Sequence, residues 1–496
     1  MNYDELMYKY GMFSEYIPPC FNSDKLFKNI NKLKTSYKIA NNSDCVELPI
    51  YKTSIERRII KVPNPEQYVY QCEIMKKNIK EIENRICNNK STESNPFRKN
   101  GNNRFLDIPL YREYKNIKSN FTKSMKNRIR YSMGYKYQLK IDLSKFYDSI
   151  YTHTIEWCVV GKKVAKERSN RNNWGKCLDK AIRSSQNSES KGIPTGPFTS
   201  RIVSEFILAE IDEILRNQKF AFLHYVDDYR FYFKTKSEAI KSLKKISNIF
   251  QEYKLEINES KTSIEEYPYE IISSISQKVY ECRKLNEKES IIYLINECNK
   301  LYVDGEKASY KYILKSLNNL KKSELDNWIY LESFFLSILT IKPDLARYIS
   351  KMVLKYETLI TGDFKHRLHE ILETNIEEEN ECEILWIMWL LIKLDSLNIT
   401  NEKINKLLEM NNDFILIMVL DYINKKNLGD NNTIFLKKNI ENNLEQSEIN
   451  HSNWLLLYEA IVNNWFGSQK INSKLDTNSF FRALKKNGVN FYDIRK

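Results

Sequence analysis

Apolar positions change their period along this chain, and the changes mark out its parts. Tyr137, Leu139, Ile141 and Leu143 alternate with Gln138, Lys140, Asp142 and Ser144, the period of two that predicts a half-buried strand. After Pro197 the period lengthens, and Ile202, Val203, Phe206, Ile207, Ile211, Ile214 and Leu215 recur at helical spacing. Two β-prone, aromatic-rich runs follow at 221–224 and 229–233, then a helix-like stretch from Ser237 to Tyr253 and a further strand. Residues 137–265 therefore read strand, helix, strand pair, helix, strand, an α+β unit. Beyond about residue 275 the strand patterns fade. Amphipathic segments take over, among them Glu324–Leu339, Glu383–Leu394, Phe414–Ile423 and Trp454–Phe466, broken by Asn-, Asp- and Gly-rich joints. Their spacing of roughly thirty to forty residues predicts helix-pair repeats, with Trp386, Trp389, Trp454 and Trp465 packed between helices.

At 496 residues the chain is long for one core, and two or three domains are expected. A hydrophobic content of 42% with 12% aromatics supports packed cores and excludes global disorder. The net charge of +14 is uneven: residues 1–250 carry +19 and the remainder −5. A polyanionic partner is thus implied for the first half only. Cations are densest between Lys99 and Lys140, where Arg112, Lys115, Lys118, Lys123, Arg128 and Arg130 interleave with Tyr111, Tyr114, Phe121, Tyr131, Tyr135 and Tyr137. Aromatics among cations suit a nucleic-acid groove, although a solvated helical face has the same composition. Nine scattered cysteines without a C-x-x-C disfavour structural zinc and a disulfide framework and fit a reducing compartment. Residues 1–5 show no signal-peptide pattern, and the longest apolar run, Ile384 to Ile392, is too short to span a bilayer. A soluble cytoplasmic protein with no membrane partner is expected.

The candidate chemistry centres on Tyr225-Val226-Asp227-Asp228, which reads as a hairpin tip presenting adjacent carboxylates. Crowding two like charges is costly unless a cation is shared between them. A further carboxylate, Asp142, ends the period-two strand. Strand-end carboxylates brought together could hold the metal pair of in-line phosphoryl transfer, with Mg²⁺ or Mn²⁺ as the cation. Between them, Lys191-Gly192-Ile193-Pro194-Thr195-Gly196-Pro197-Phe198-Thr199-Ser200 could bring backbone close to a ligand just before a helix. Lys261, downstream, could protonate or compensate departing pyrophosphate.

Taken in order, these segments resemble the motifs of reverse transcriptases. Asp142 through Ile150, Gly192 through Ser200, Tyr225 through Asp228, and the stretch ending at Lys261-Thr262 match four successive motifs. Upstream, Arg57-Arg58-Ile59-Ile60-Lys61-Val62-Pro63 resembles the fingers motif that grips an incoming triphosphate, with either arginine eligible and Arg58 preferred. The stretch Asp142 to His153, the Gly192–Arg201 loop and Glu15-Tyr16-Ile17-Pro18-Pro19-Cys20-Phe21 are similar to the abortive-infection, defence-associated reverse transcriptases of bacteria. That resemblance implies a right-hand polymerase: an N-terminal segment and fingers over 1–136, a palm over 137–275, and an all-α HEAT-like repeat domain over 276–496. It implies Asp142, Asp227 and Asp228 as metal ligands and Tyr147 as the bulky group that excludes a ribose 2′-hydroxyl. It further implies dNTPs and nucleic acid (a DNA product, with RNA an alternative partner) and a homo-oligomer. Synthesis without a template and a covalent product on a Tyr or Ser hydroxyl are expected alternatives to copying a dedicated non-coding RNA. A retron or intron-type enzyme and an inactive nucleic-acid scaffold are the competing readings. Lys191 departs from the Gln of many relatives, so template placement is expected to differ here.

Overall fold

The computed structural model describes residues 3–33, 42–53, 55–100, 103–106, 126–167, 172–269, 290–317, 320 and 325–496, and the statements below concern these. Much of the basic stretch, including Arg112, Lys115, Lys118, Lys123, Tyr111, Tyr114 and Phe121, lies outside the described residues, as does the expected boundary at 275.

Two hairpins come first, β1 (Val46–Tyr51) with β2 (Arg57–Val62) and β3 (Phe97–Asn100) with β4 (Asn103–Leu106). The central sheet is antiparallel, formed by β5 (Tyr137–Asp142), β6 (Ala221–Tyr225), β7 (Asp228–Phe233) and β8 (Ser263–Glu266) in the order β6–β7–β5–β8. Leu139, Ile141 and Leu143 are buried as their alternation predicts. The Lys236–Glu252 helix packs on β5 and β7 and against the Phe198–Asn217 helix. Its start is set by a capping box: Glu238 N–H donates to Thr235 Oγ1 and Thr235 N–H to Glu238 Oε2, each at 3.2 Å. The linear reading passed over two further helices, Thr154–Val160 and Trp174–Ser184, whose buried faces include Ile155, Leu178 and Ile182. They are only two to three turns long, too short to stand out as a period in the sequence.

Residues 290–486 carry helices and no strand among the described residues. From 362 onward they alternate in character. Gly362–Glu377, Asn401–Glu409 and Asn431–Gln446 bury one stripe, whereas Glu381–Lys393, Asp413–Lys426 and Trp454–Asn463 are buried almost all round. Stripe helices neighbour stripe helices and buried helices neighbour buried ones, giving two layers. The buried layer meets the N-terminal half. Trp386, edge-on to Trp389 at 5.5 Å, donates from Nε1 to the Tyr16 carbonyl at 2.7 Å. Asn64 Nδ2 donates to the Ile449 carbonyl at 2.9 Å, and Asp493 N–H to the Cys20 carbonyl at 2.8 Å. The N-terminal half and the helical half therefore share one continuous core. None of the described helices is long and apolar enough to cross a membrane.

Candidate active site

The β6–β7 hairpin closes through Val226 and Asp227 alone, because Tyr225 and Asp228 are its last paired residues. Such a loop needs positive φ, usually met by glycine or asparagine. Here Val226 adopts φ 54°, a sterically strained conformation for a β-branched residue. Asp228 sits directly across from Asp142 in the β5–β7 register. Leu143 N–H donates to the Asp227 carbonyl at 3.2 Å, fastening the hairpin tip to the end of β5. Asp142 thus joins the adjacent Asp227 and Asp228, far from it in sequence, at one end of the sheet. Lys261 Nζ lies 3.0 Å from Asp142 Oδ1, and Asn258 Nδ2 donates to Asp142 Oδ2 at 3.2 Å.

Like charges this close disfavour ionisation. Asp227 is pushed up to about 6, chiefly by burial, with the Asp228 and Asp142 charges adding to it; its own backbone amide and Arg58 pull the other way. Asp228 is raised for the same two reasons, burial and then Asp142, against Arg230, Lys261 and Arg128. Since Asp228 keeps solvent contact, Asp227 carries the stronger perturbation.

In front of the carboxylates lies a cavity of about 400 Å³. Asp227 and Asp228 form its floor, with Arg58 and Ile60 from β2, and Tyr147, Gly196 and Arg201 around it. Residues 9–17 supply a further wall, held from behind by an Arg347–Glu15 ion pair of 2.7 Å and the Trp386–Tyr16 bond. Strand alternation separates the two candidate arginines. Arg58 points into the cavity, whereas Arg57 points to the helical half and pairs there with Glu383 and Asn380.

The other expected site residues are distributed as follows. Asp142 and Lys261 stand beside the cavity and outside its lining. Gly192 (φ 85°) and Gly196 (φ 130°) bring backbone close to the protein itself: a Cβ at Gly192 would meet the Asp148 carbonyl at 3.2 Å, and one at Gly196 would meet Ile60 Cγ2 at 3.0 Å. Lys61 N–H donates to the Thr195 carbonyl at 2.8 Å, so the loop is tied to β2. Pro194 and Ser200 are buried behind it, outside the cavity lining, and Lys191 is exposed, bridged to Tyr151. Three contributors went unassigned in the sequence: the 9–17 wall, Arg201 and Asn258. Arg201 was the most detectable, an arginine on the buried first turn of a helix.

Residues 62–296 match the family described as "Reverse transcriptase (RNA-dependent DNA polymerase)". These residues form a reverse transcriptase domain. The match begins just after Arg58 and runs into the first helix of the helical half. No curated protein matches the chain. Among solved structures it is similar to a telomerase from Candida albicans determined with a telomeric RNA fragment, at 12% identity and a TM-score of 0.31, covering 73% of this chain and 67% of that one. A telomerase from Candida tropicalis, without RNA, shares 13% identity at a TM-score of 0.34, over 74% of this chain and 67% of that one.

The reverse transcriptase domain is an RNA-directed DNA polymerase, a nucleotidyltransferase, and its family uses divalent metal ions. The donor set fits such an ion. Asp227 and Asp228 offer only hard oxygen donors, and both are held in a site that raises the cost of their negative charge. No group of three His, Cys, Asp or Glu side chains forms a preformed cage among the described residues. Mg²⁺ is typically held by one or two carboxylates together with substrate phosphates. When bound, the ion supplies charge compensation for in-line phosphoryl transfer. The residues' own contributions are positional: Arg58 reaches the cavity from β2, Tyr147 narrows it, and Lys261 pairs with Asp142.

Proposed function

We propose that this protein is a defence-associated DNA polymerase of the abortive-infection type, using Mg²⁺ or Mn²⁺ and dNTPs. Asp142, Asp227 and Asp228 serve as its metal-ligating carboxylates, Lys261 as the compensating cation, Arg58 as the triphosphate grip and Tyr147 as the sugar gate. The observation that carries the reading is a nucleotide-sized cavity bounded by palm carboxylates, a fingers arginine and an N-terminal wall braced by the helical half. The two-layer helical half, read as a HEAT-like repeat domain, supports the defence branch over a retron or intron type, and it is the surface through which the chain forms a homo-oligomer in the cytoplasm. The retained carboxylates argue against an inactive scaffold.

Synthesis proceeds without a template and starts from a Tyr or Ser hydroxyl of the protein itself. The test is labelled-dNTP incorporation by the purified full chain, with and without RNA. Label that stays with the protein through denaturation and is released by protease supports the reading; free product made only with RNA refutes untemplated, protein-primed synthesis. Phage protection that survives Asn at both Asp227 and Asp228 would refute the enzymatic defence role.

A further inference from the structure

The strained hairpin tip is held from beneath by a buried polar network that the polymerase chemistry does not use. Val226 N–H donates to Ser94 Oγ at 2.8 Å, and the Val226 carbonyl accepts from His224 Nδ1 at 2.9 Å. His224 Nε2 lies 2.8 Å from Asp212 Oδ2, both side chains being fully buried. That contact is short but poorly aligned, an ion pair more than a full hydrogen bond. Asp212 also accepts from Asn89 Nδ2 at 2.5 Å and from the Tyr229 hydroxyl at 2.9 Å. Ser94 in turn donates to Glu205 Oε1 at 2.5 Å. Backbone bonds complete the frame: His224 N–H donates to the Ser91 carbonyl at 2.9 Å and Glu93 N–H to the His224 carbonyl at 2.8 Å.

A carbonyl and an ionised carboxylate both only accept, so this imidazole needs protons on both nitrogens. Burial alone would lower its proton affinity, but the Asp212 carboxylate, with Glu205 and the Val226 carbonyl, lifts His224 to about 9. A buried charge is costly unless paired. Holding that charge one residue short of a strained tip is hard to explain by packing alone, since an apolar side chain would fill the space with less cost. A positive φ at a β-branched residue costs about 1–3 kcal/mol and persists only where surrounding bonds over-determine it. Here both polar groups of the Val226 backbone are committed, one to Ser94 and one to His224.

We propose that His224, gripped by Asp212, is a positioning residue that together with Ser94 locks Val226 in its left-handed conformation and so aims the Asp227 and Asp228 carboxylates. This rests on the reading of Asp227 and Asp228 as the catalytic carboxylates, which D227N tests separately.

The experiment compares His224→Asn and His224→Gln, since the Asn amide nitrogen overlays Nδ1 and keeps the bond to the Val226 carbonyl, whereas Gln overlays Nε2 and keeps only Asp212. dNTP incorporation by the full chain is measured with Mg²⁺ alongside thermal stability. A misplacement of about 1 Å at a reacting centre can cost 10²-fold. H224Q is therefore expected to lose about 100-fold in kcat with little change in KM for dNTP, and H224N to retain kcat within about tenfold. Ser94→Ala, which removes the second anchor and the Glu205 donor together, is expected to lose roughly tenfold in kcat. Equal losses in H224N and H224Q that follow their thermal stability, with S94A at wild-type kcat, would mean the histidine only stabilises the fold and would overturn the proposal. Wild-type kcat in H224Q with D227N inactive also overturns it, while leaving the catalytic assignment standing. If D227N itself keeps wild-type incorporation, the underlying carboxylate assignment fails first, and the proposal fails with it.

Discussion

Replacing Asp227 by Asn should make the metal-free protein more stable. Asp227 moves from 3.8 in the unfolded chain to about 6 in the folded one, driven by burial and then by Asp228 and Asp142. At about 1.36 kcal/mol for each tenfold change in proton affinity, this is at most about 3 kcal/mol of destabilisation. Asp227 keeps some solvent contact, so screening reduces the figure to about 1–2 kcal/mol, or a rise in Tm of ~1–2 °C on substitution. The sign with pH follows from the raised value. Below 3.8 both folded and unfolded states are protonated and the penalty is absent; it grows as pH rises from about 4 to 6 and is constant above that. The advantage of D227N should therefore be full above about pH 6.5 and vanish near pH 4. Thermal unfolding of both proteins across this range in a chelator reads it directly. Added Mg²⁺ should raise the wild-type Tm and close the gap, because a cation offsets the same repulsion. A D227N protein no more stable than wild type at neutral pH without metal, or a difference that persists unchanged to pH 4, would falsify the claim that burial and the neighbouring carboxylates penalise the Asp227 charge.

Other expectations follow from the placement of single residues. Arg58→Ala should raise KM for dNTP about tenfold at unchanged Tm, since it removes one exposed charge-assisted contact. Arg57→Ala should do the opposite, lowering stability by about 3 kcal/mol by stranding the buried Glu383 carboxylate while KM holds; the two are told apart by running kinetics and unfolding on both. Tyr147→Val should relax discrimination against rNTPs by roughly 10–100-fold, measured as the ratio of kcat/KM for dNTP and rNTP, as it opens the cavity by most of an aromatic ring. Lys261→Met should reduce incorporation about tenfold, measured as kcat, by leaving Asp142 with only Asn258 beside it.

The wall formed by residues 9–17 lies beyond what local pattern can show. Nothing in that segment has the period of a strand or a metal-ligand spacing, and its place in the cavity depends on Arg347 and Trp386, more than 300 positions away. The choice between Arg57 and Arg58 was equally hidden. Adjacent residues on a strand point to opposite faces, and only the packing of the helical half shows which face is already taken.

By itself the sequence determined the α+β unit, the helical second half and the order of the carboxylates. Those depend on local periodicity and on residue types whose chemistry is legible anywhere. It also carried the signature that places a reverse transcriptase domain over residues 62–296. Tertiary structure decided what local pattern cannot encode: that Asp228 faces Asp142, that Gly192 packs on protein while Thr195 to Phe198 line the cavity, and that a strained Val226 aims the tip. Each of these depends on register and on contacts between segments distant in sequence, where a single residue's slip would turn every side chain to the other face.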